Sequence, residues 1–350
     1  MIREEIRTLS EYRLSQHPCR IKLNQNENPY ELPPEVKQEI LRRVAAQPWS
    51  RYPAFVPAAQ IEHVAHYAGW LGEGTLLGNG SNDLLQLLFT CMLERGQGVV
   101  ISQPTFTLYK ILARTVAADV HEVPMTPDFL YDPDRIIETA RQTRARLIVL
   151  CSPNNPTGTC LDPAAVARVV EETEALVILD EAYGHFSGTR MVELLAQHDR
   201  LAVLQTFSKA MGAASIRFGY VLLHPPLAQQ LAKAQLPYSV NLFTLTAVEV
   251  LLEHWESYRS WIDVLIRERQ RVYRRLSSME SLRVYPSGAN FLLFESFRRT
   301  ARETFDGLLA RGILIRDVST YPMLERGLRV TIGTPEECDA FLAALEEVLA

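Results

Sequence analysis

Two rhythms of apolar spacing alternate along the chain from Val36 to about Phe243. Short unbroken apolar runs end in turn residues: 98-GVVISQP-104, 146-RLIVLCSP-153, 175-ALVILDEAY-183 and 218-FGYVLL-223. Segments with helical spacing separate them. Runs of Val, Ile and Leu without polar alternation predict strands buried on both faces, and therefore a parallel sheet flanked by helices. Two of those helices carry start signals. One covers 81–95, with Ser81 or Asn82 as N-cap; the other covers 162–174, with Asp162 as cap and Pro163 at the first helical position.

Beyond Phe243 the rhythm changes to one long helical stretch over 244–278. It is followed by 288-GANFLLFE-295, a helix near 300–312, the runs 313-ILIRDV-318 and 327-GLRVTIG-333, and a closing helix over 335–350. The expected fold class is α/β, with an N-terminal arm over 1–35, a large, mostly parallel sheet domain over 36–245 and a smaller α+β C-terminal domain over 246–350. A length of 350 residues supports more than one lobe, because a single core rarely fills a chain of that size. No internal repeat or low-complexity tract interrupts it.

Composition narrows the function classes. A hydrophobic content of 47% with 22% charged residues is that of an ordinary globular protein, which sets aside disordered, collagen-like and disulfide-scaffold readings. The net charge of -5 gives no electrostatic reason to expect nucleic-acid binding. The densest basic run, 267-RERQRVYRR-275, has the interleaving of a wet helix face. Cysteines at 19, 91, 151, 160 and 338 form no CxxC pair and fit reduced thiols in the cytoplasm. No apolar run approaches about 18 residues, so no membrane span is expected.

Ligands of open α/β sheets gather at the carboxyl ends of the strands, which directs attention to the residues just after each apolar run. Asp180 closes ALVILD, Asn155 follows RLIVL and Lys209 follows LAVLQTFS. Lys209 is one of only five lysines. Alone it reads as a surface lysine, although a lysine with a lowered pKa can form a Schiff base and shuttle protons. Thr206, Ser208 and Arg217 around it could grip a phosphate, Arg being suited to bidentate contact. The turn 78-GNGSND-83 before a helix start could offer backbone N–H groups to the same anion, or be an ordinary helix start. An aspartate at the end of a buried strand calls for a cation opposite it, such as a protonated pyridine nitrogen. Asn155 and Tyr183 could both reach that ring's phenolic oxygen. His63 and His66 lie at i and i+3, but with no third ligand in view they suit a helix face and no metal site is expected. His185 is placed near the site only by its closeness to Tyr183, and Cys151 is expected to be a core thiol.

These motifs, SPNNPTG (152–158), DEAY (180–183) and TFSKAMG with Arg217, together with LSEY (9–12), IKLNQNENPY (21–30), RYP (51–53), GNGSND, QPTFTLY, PYSVN (237–241) and SGANFLLF (287–294), resemble the fold-type I, pyridoxal-phosphate-dependent aminotransferases. LNQNENPY, RYP and PYSVN favour the histidinol-phosphate branch. The resemblance runs from about Leu9 to Gly333. It implies a catalytic set of Lys209, Asp180 and Tyr183, with Lys209 joined to the cofactor, pyridoxal 5'-phosphate. Thr206, Ser208, Arg217 and the amides of Ser81 and Asn82 would hold its phosphate, Asp180 its ring nitrogen, Asn155 and Tyr183 its ring oxygen, and Phe106 its ring face. Tyr52 would reach the cofactor phosphate of a second subunit, which implies a homodimer.

For the substrate, the resemblance points to Tyr12, Asn26, Tyr238, Arg316 and Arg329, with the two arginines taking an anionic tail. The implied activity is transamination between histidinol phosphate and 2-oxoglutarate in histidine biosynthesis. Alternatives are an aminotransferase for aromatic or specialised amino acids, and a lyase like threonine-phosphate decarboxylase. A cofactor-sensing regulatory module is a third class, disfavoured by the complete set of Lys209, Asp180, Tyr183 and Arg217. The chain departs from the family pattern at Gln205, where arginine is common, at 212-GAAS-215, at Ser239 and at Glu11. None of these touches the lysine chemistry, but several lie near cofactor or substrate.

Overall fold

The computed structural model describes residues 1–9 and 17–350. Its main sheet has seven strands in the order Thr75–Gly78, Gly219–Leu223, Leu201–Thr206, Leu176–Asp180, Leu147–Cys151, Gly98–Gln103, Asp119–Pro124. The unbroken apolar runs are strands buried on both faces, as expected. Leu147 and Val149 pack into the cluster that holds Leu84, Phe89 and Tyr109, whereas Ile148 and Leu150 pack into the opposite cluster with Val166, Val169 and Val248. Strand alternation thus divides one run between two cores, each fully buried Val, Ile or Leu contributing about 1.5–3 kcal/mol relative to exposure. One strand corrects the parallel expectation: Gly219–Leu223 runs antiparallel to both of its neighbours. A run buried on both faces reports its layer but not its direction.

The helix over 163–171 begins as its sequence indicates, with Pro163 in its first turn and Asp162 Oδ1 accepting from the Ala164 amide at 2.8 Å. The helix after GNG begins at Ser81, but neither Ser81 nor Asn82 is its cap. Gly80 takes that position at φ 78°, with no side-chain cap bond, and the helix ends at Met92. The long helix expected over 244–278 is three, Leu242–Glu253, Trp255–Tyr258 and Ser260–Ser277. Leu245, Val248 and Leu251 face the main-sheet core, whereas Ile262, Leu265, Val272 and Leu276 face a second core. A single straight helix could not present one apolar stripe to both.

That second core lies under a four-stranded antiparallel sheet in the order Arg316–Asp317, Gly327–Thr331, Phe291–Ser296, Leu282–Val284. The helices Ala301–Ala310 and Pro335–Leu349 cover it, each started by a capping box, Thr300 with Glu303 and Thr334 with Glu337. Ile21 and Lys22 pair in parallel with Ile313 and Leu314, and Leu23 accepts a backbone bond from Thr331. This pairing carries residues 24–26 between the two sheets.

Candidate active site

The polar ends of the main-sheet strands converge on a cavity of about 230 Å³ where the two sheets meet. Asp180 ends its strand, Thr206 ends the next, and Lys209 follows three residues on. Asn155 comes from the turn after Cys151, Ser81 and Asn82 from a helix start, and Arg316 and Arg329 from the small sheet. All of these line the cavity, with Asn26, Phe106, Tyr183, Ser208 and Arg217.

Lys209 is partly buried, and its Nζ donates to the Gln25 carbonyl at 2.9 Å. Burial pushes its pKa down to about 8, and the charge of Arg329 adds to the shift. About a tenth of the amine is therefore unprotonated at neutrality, far more than for an ordinary lysine, as a nucleophile or base requires. Asp180 is buried; its Oδ2 accepts from the Tyr109 hydroxyl at 2.7 Å and its Oδ1 from the Ala182 amide at 3.0 Å. Burial raises this carboxyl's pKa, and those two bonds oppose the shift. Tyr109 is itself pushed well up by burial and by Asp180, so it stays a donor.

At the other end of the cavity Arg217 NH1 donates to Ser208 Oγ at 3.1 Å, and Thr206 Oγ1 lies 3.0 Å from the same hydroxyl. The amides of the first helical turn at Ser81 and Asn82 have no partner within the helix, as at any helix start. Gly80 has a left-handed φ of 78° that favours glycine, and a Cβ there would come within 2.5 Å of Arg217 NH2 and push that guanidinium aside. Arg217 and Asn26 both hold left-handed backbone, at φ 56° and 55°. Such strain costs about 1–3 kcal/mol at a non-glycine residue and concentrates at functional sites.

Arg316 and Arg329 are register partners on antiparallel strands. Arg329 is buried; NH1 donates to Asn155 Oδ1 and NH2 to the Asn24 carbonyl at 2.8 Å. Asn155 thus faces Arg329, and the Tyr183 hydroxyl accepts from Asn26 Nδ2 at 2.9 Å. Burial raises the Tyr183 pKa, opposed by Arg329. Tyr52 and Tyr238 do not line the cavity: they stack on each other at the surface, centroids 4.5 Å apart. Tyr12 lies outside the described residues. His185 lies across the sheet from the cavity, its Nε2 2.7 Å from the Tyr67 hydroxyl.

Sequence reading missed Tyr109, Asn24, Gln25 and Tyr321. Tyr109 stands three residues after Phe106 in a segment already singled out, one helical turn on, and that spacing was the available signal. Gln25 acts through its backbone carbonyl, which no side-chain pattern reports. Asn24 Oδ1 is buried and makes no hydrogen bond among the described residues.

The model of the family "Aminotransferase class I and II" matches residues 20–345. The histidinol-phosphate aminotransferase of Thermococcus gammatolerans is 38% identical over 348 residues, covering 99% of this chain and 97% of its own length. That of Chlorobium limicola is 36% identical over 329 residues, 94% of this chain and 92% of its own. The crystal structure of histidinol-phosphate aminotransferase from Sinorhizobium meliloti in complex with pyridoxal-5'-phosphate shares the fold, with a TM-score of 0.89 at 24% identity, over 99% of this chain and 97% of that one.

Proposed function

Because this chain belongs to the class I and II aminotransferases, we propose that it transfers the amino group of histidinol phosphate to 2-oxoglutarate, using pyridoxal phosphate. One observation carries the reading: a lysine of lowered pKa, a buried carboxylate and an arginine–hydroxyl cup surround a single cavity roofed by two register-paired arginines.

The cavity fits the cofactor at both ends. Asp180 is a buried carboxylate with two neutral donors and room for a cation on its open side, which suits a protonated ring nitrogen. The Arg217, Ser208 and Thr206 cup beside a helix start suits a phosphate. The orphaned Asn24 Oδ1 in the cavity wall is a buried acceptor awaiting a donor.

When bound, pyridoxal phosphate supplies an aldehyde for the amine and an electron-withdrawing ring. The chain's own residues do the rest. Asp180 would keep positive charge on the ring nitrogen, helped by the Tyr109 hydroxyl that holds its Oδ2 in place. Arg217, Ser208, Thr206 and the amides of Ser81 and Asn82 would hold the phosphate, and Phe106 would lie against the ring. Lys209 Nζ would accept the proton from the substrate carbon that bears the amine and hold it for return. Arg316 and Arg329 receive the substrate's phosphate, and later the carboxylate of 2-oxoglutarate. Arg329 is held by neutral acceptors, so an anionic tail gains a charge-assisted contact there that an amine without one lacks.

An exposed aromatic patch supports assembly. Tyr52 and Tyr238 stack, Phe55 meets Tyr238 edge-on at 5.7 Å, and Trp49 packs on Phe243 at 5.2 Å. A surface of this kind suits a second copy, with Tyr52 reaching the cofactor phosphate of the other subunit. The five free cysteines fit a reducing cytoplasm, and among the described residues no helix is long and apolar enough to cross a membrane.

A half-reaction screen tests the assignment. The yellow holoenzyme is mixed with candidate amines, and loss of its cofactor absorbance is followed. Rapid conversion by histidinol phosphate, with none by phenylalanine or threonine phosphate, is expected; equal conversion by phenylalanine refutes the specificity. Carbon dioxide release from threonine phosphate would identify a lyase instead.

A further inference from the structure

On the reverse face of the same strands lies a second, larger cavity of about 800 Å³. Strand alternation creates it. Asp180 and Thr206 turn toward the cavity that holds Lys209, so their chain neighbours Glu181 and Gln205 turn the other way. Its floor is the Glu181 carboxyl, 3% exposed, which accepts from Gln205 Nε2 at 2.8 Å. Gln205 Oε1 in turn accepts from the Tyr220 hydroxyl at 2.6 Å. The walls are aromatic: Trp255 meets Tyr67 and His185 edge-on, at 5.7 and 6.0 Å between centroids. Arg190 stands at the mouth, with NH2 on the Ala68 carbonyl at 3.0 Å.

The charges around this cavity are not equivalent. At the rim, Glu253 is paired with Arg43 at 2.6 Å and Glu256 with Arg259 at 2.7 Å, while Glu249 accepts from Gln60 at 2.7 Å. Asp263 stands exposed at the outer edge, where water screens it. Glu181 differs from these in its burial, and the charge of Arg190 acts on it, although among the described residues the two form no ion pair within 4.0 Å. One buried carboxyl and one guanidinium that line the same cavity as these aromatic rings complement a molecule that carries an ammonium and a carboxylate on one carbon and a ring beside them.

We propose that this rear cavity binds a free α-amino acid with a ring-bearing side chain, its ammonium on Glu181, its carboxylate on Arg190 and its ring among Tyr67, His185 and Trp255. An ammonium against Glu181 supplies the cation that burial withholds. Burial pushes this carboxyl up to about 7, against the pull of Gln205 and the Met191 amide, so a positive group beside it restores the ionised form. The aromatic edges and faces accept a flat ring, with offset or edge-on contact. The cavity volume falls within the usual span of small-molecule sites, about 300–1,000 Å³.

The test uses holoenzyme reduced with borohydride, so that Lys209 is permanently occupied, titrated calorimetrically with L-histidine and L-phenylalanine. Saturable binding of at least one of them, one molecule per chain, is expected. Arg190→Gln, an exposed rim substitution that leaves the fold intact, and Glu181→Gln should each weaken it about tenfold or more, whereas Arg329→Gln in the front cavity should not. No saturable binding of either amino acid at millimolar concentration overturns the proposal. So does binding that survives Arg190→Gln but is lost in Arg329→Gln, because the ligand would then sit in the front cavity.

Discussion

The Tyr109 hydroxyl donates to Asp180 Oδ2 across 2.7 Å, and both residues are nearly sealed from water. The bond opposes the burial that would otherwise push the Asp180 carboxyl further up. Tyr109→Phe removes the donor without changing the shape of the side chain. The carboxylate then holds a ring cation less well, so cofactor affinity should fall about tenfold and folding stability by about 1–3 kcal/mol. Fluorescence titration of the cofactor and urea denaturation measure the two effects. Asp180→Asn should lower kcat more steeply, by about 10²-fold or more.

The lowered pKa of Lys209 makes stability depend on pH in the cofactor-free protein. Folding shifts the amine from its ordinary 10.5 to about 8, so between those values the unfolded chain binds more protons than the folded one. Stability must therefore rise as pH increases from about 8 to 10.5, and below 8 the penalty is constant. Its upper bound is roughly 3 kcal/mol, reduced where water reaches the amine. Lys209→Met should abolish this rise, so that at neutral pH the variant is the more stable protein. Denaturant midpoints across that pH range decide it.

Covalent capture of pyridoxal phosphate by Lys209 needs the neutral amine. Its rate in cofactor-free protein should climb with pH and level off above a midpoint near 8. Borohydride trapping at timed intervals, followed by peptide mapping, measures this. Labelling at any lysine other than Lys209 would overturn the assignment.

Arg329 is placed by the Asn155 side chain and the Asn24 carbonyl. Arg329→Gln should raise KM for histidinol phosphate by about 10²-fold while changing the turnover of an amine without an anionic tail far less. Arg329→Lys should not rescue it, because an ammonium cannot reproduce the planar fork that spans both partners.

The stacked Tyr52 and Tyr238 predict a dimer in solution. Tyr238→Asp puts a charge into the apolar patch and should yield monomers in light-scattering chromatography. Tyr52→Phe should keep the dimer and weaken cofactor binding, separating assembly from the phosphate contact.

Much of this architecture could be read from residues in order. Val, Ile and Leu without alternation indicated strands buried on both faces, Asp162 followed by Pro163 marked a helix start, and the polar residues just after the runs, Asp180, Asn155 and Lys209, do meet at one cavity. These are local properties: side-chain period, cap chemistry and the end of an apolar run are set within a few residues.

What the order of residues left open involves partners far apart or the choice between two neighbours. The antiparallel direction of Gly219–Leu223, the breaks near His254 and Arg259, the register pairing of Arg316 with Arg329, and the Gln25 carbonyl against Lys209 depend on which segments come to lie side by side. Alternation says that Asp180 and Glu181 face opposite ways, but not what each will face. Only packing both sides of the sheet put the one at the cavity of Lys209 and the other at an aromatic cavity, because a strand's periodicity selects a face while its environment comes from the rest of the chain.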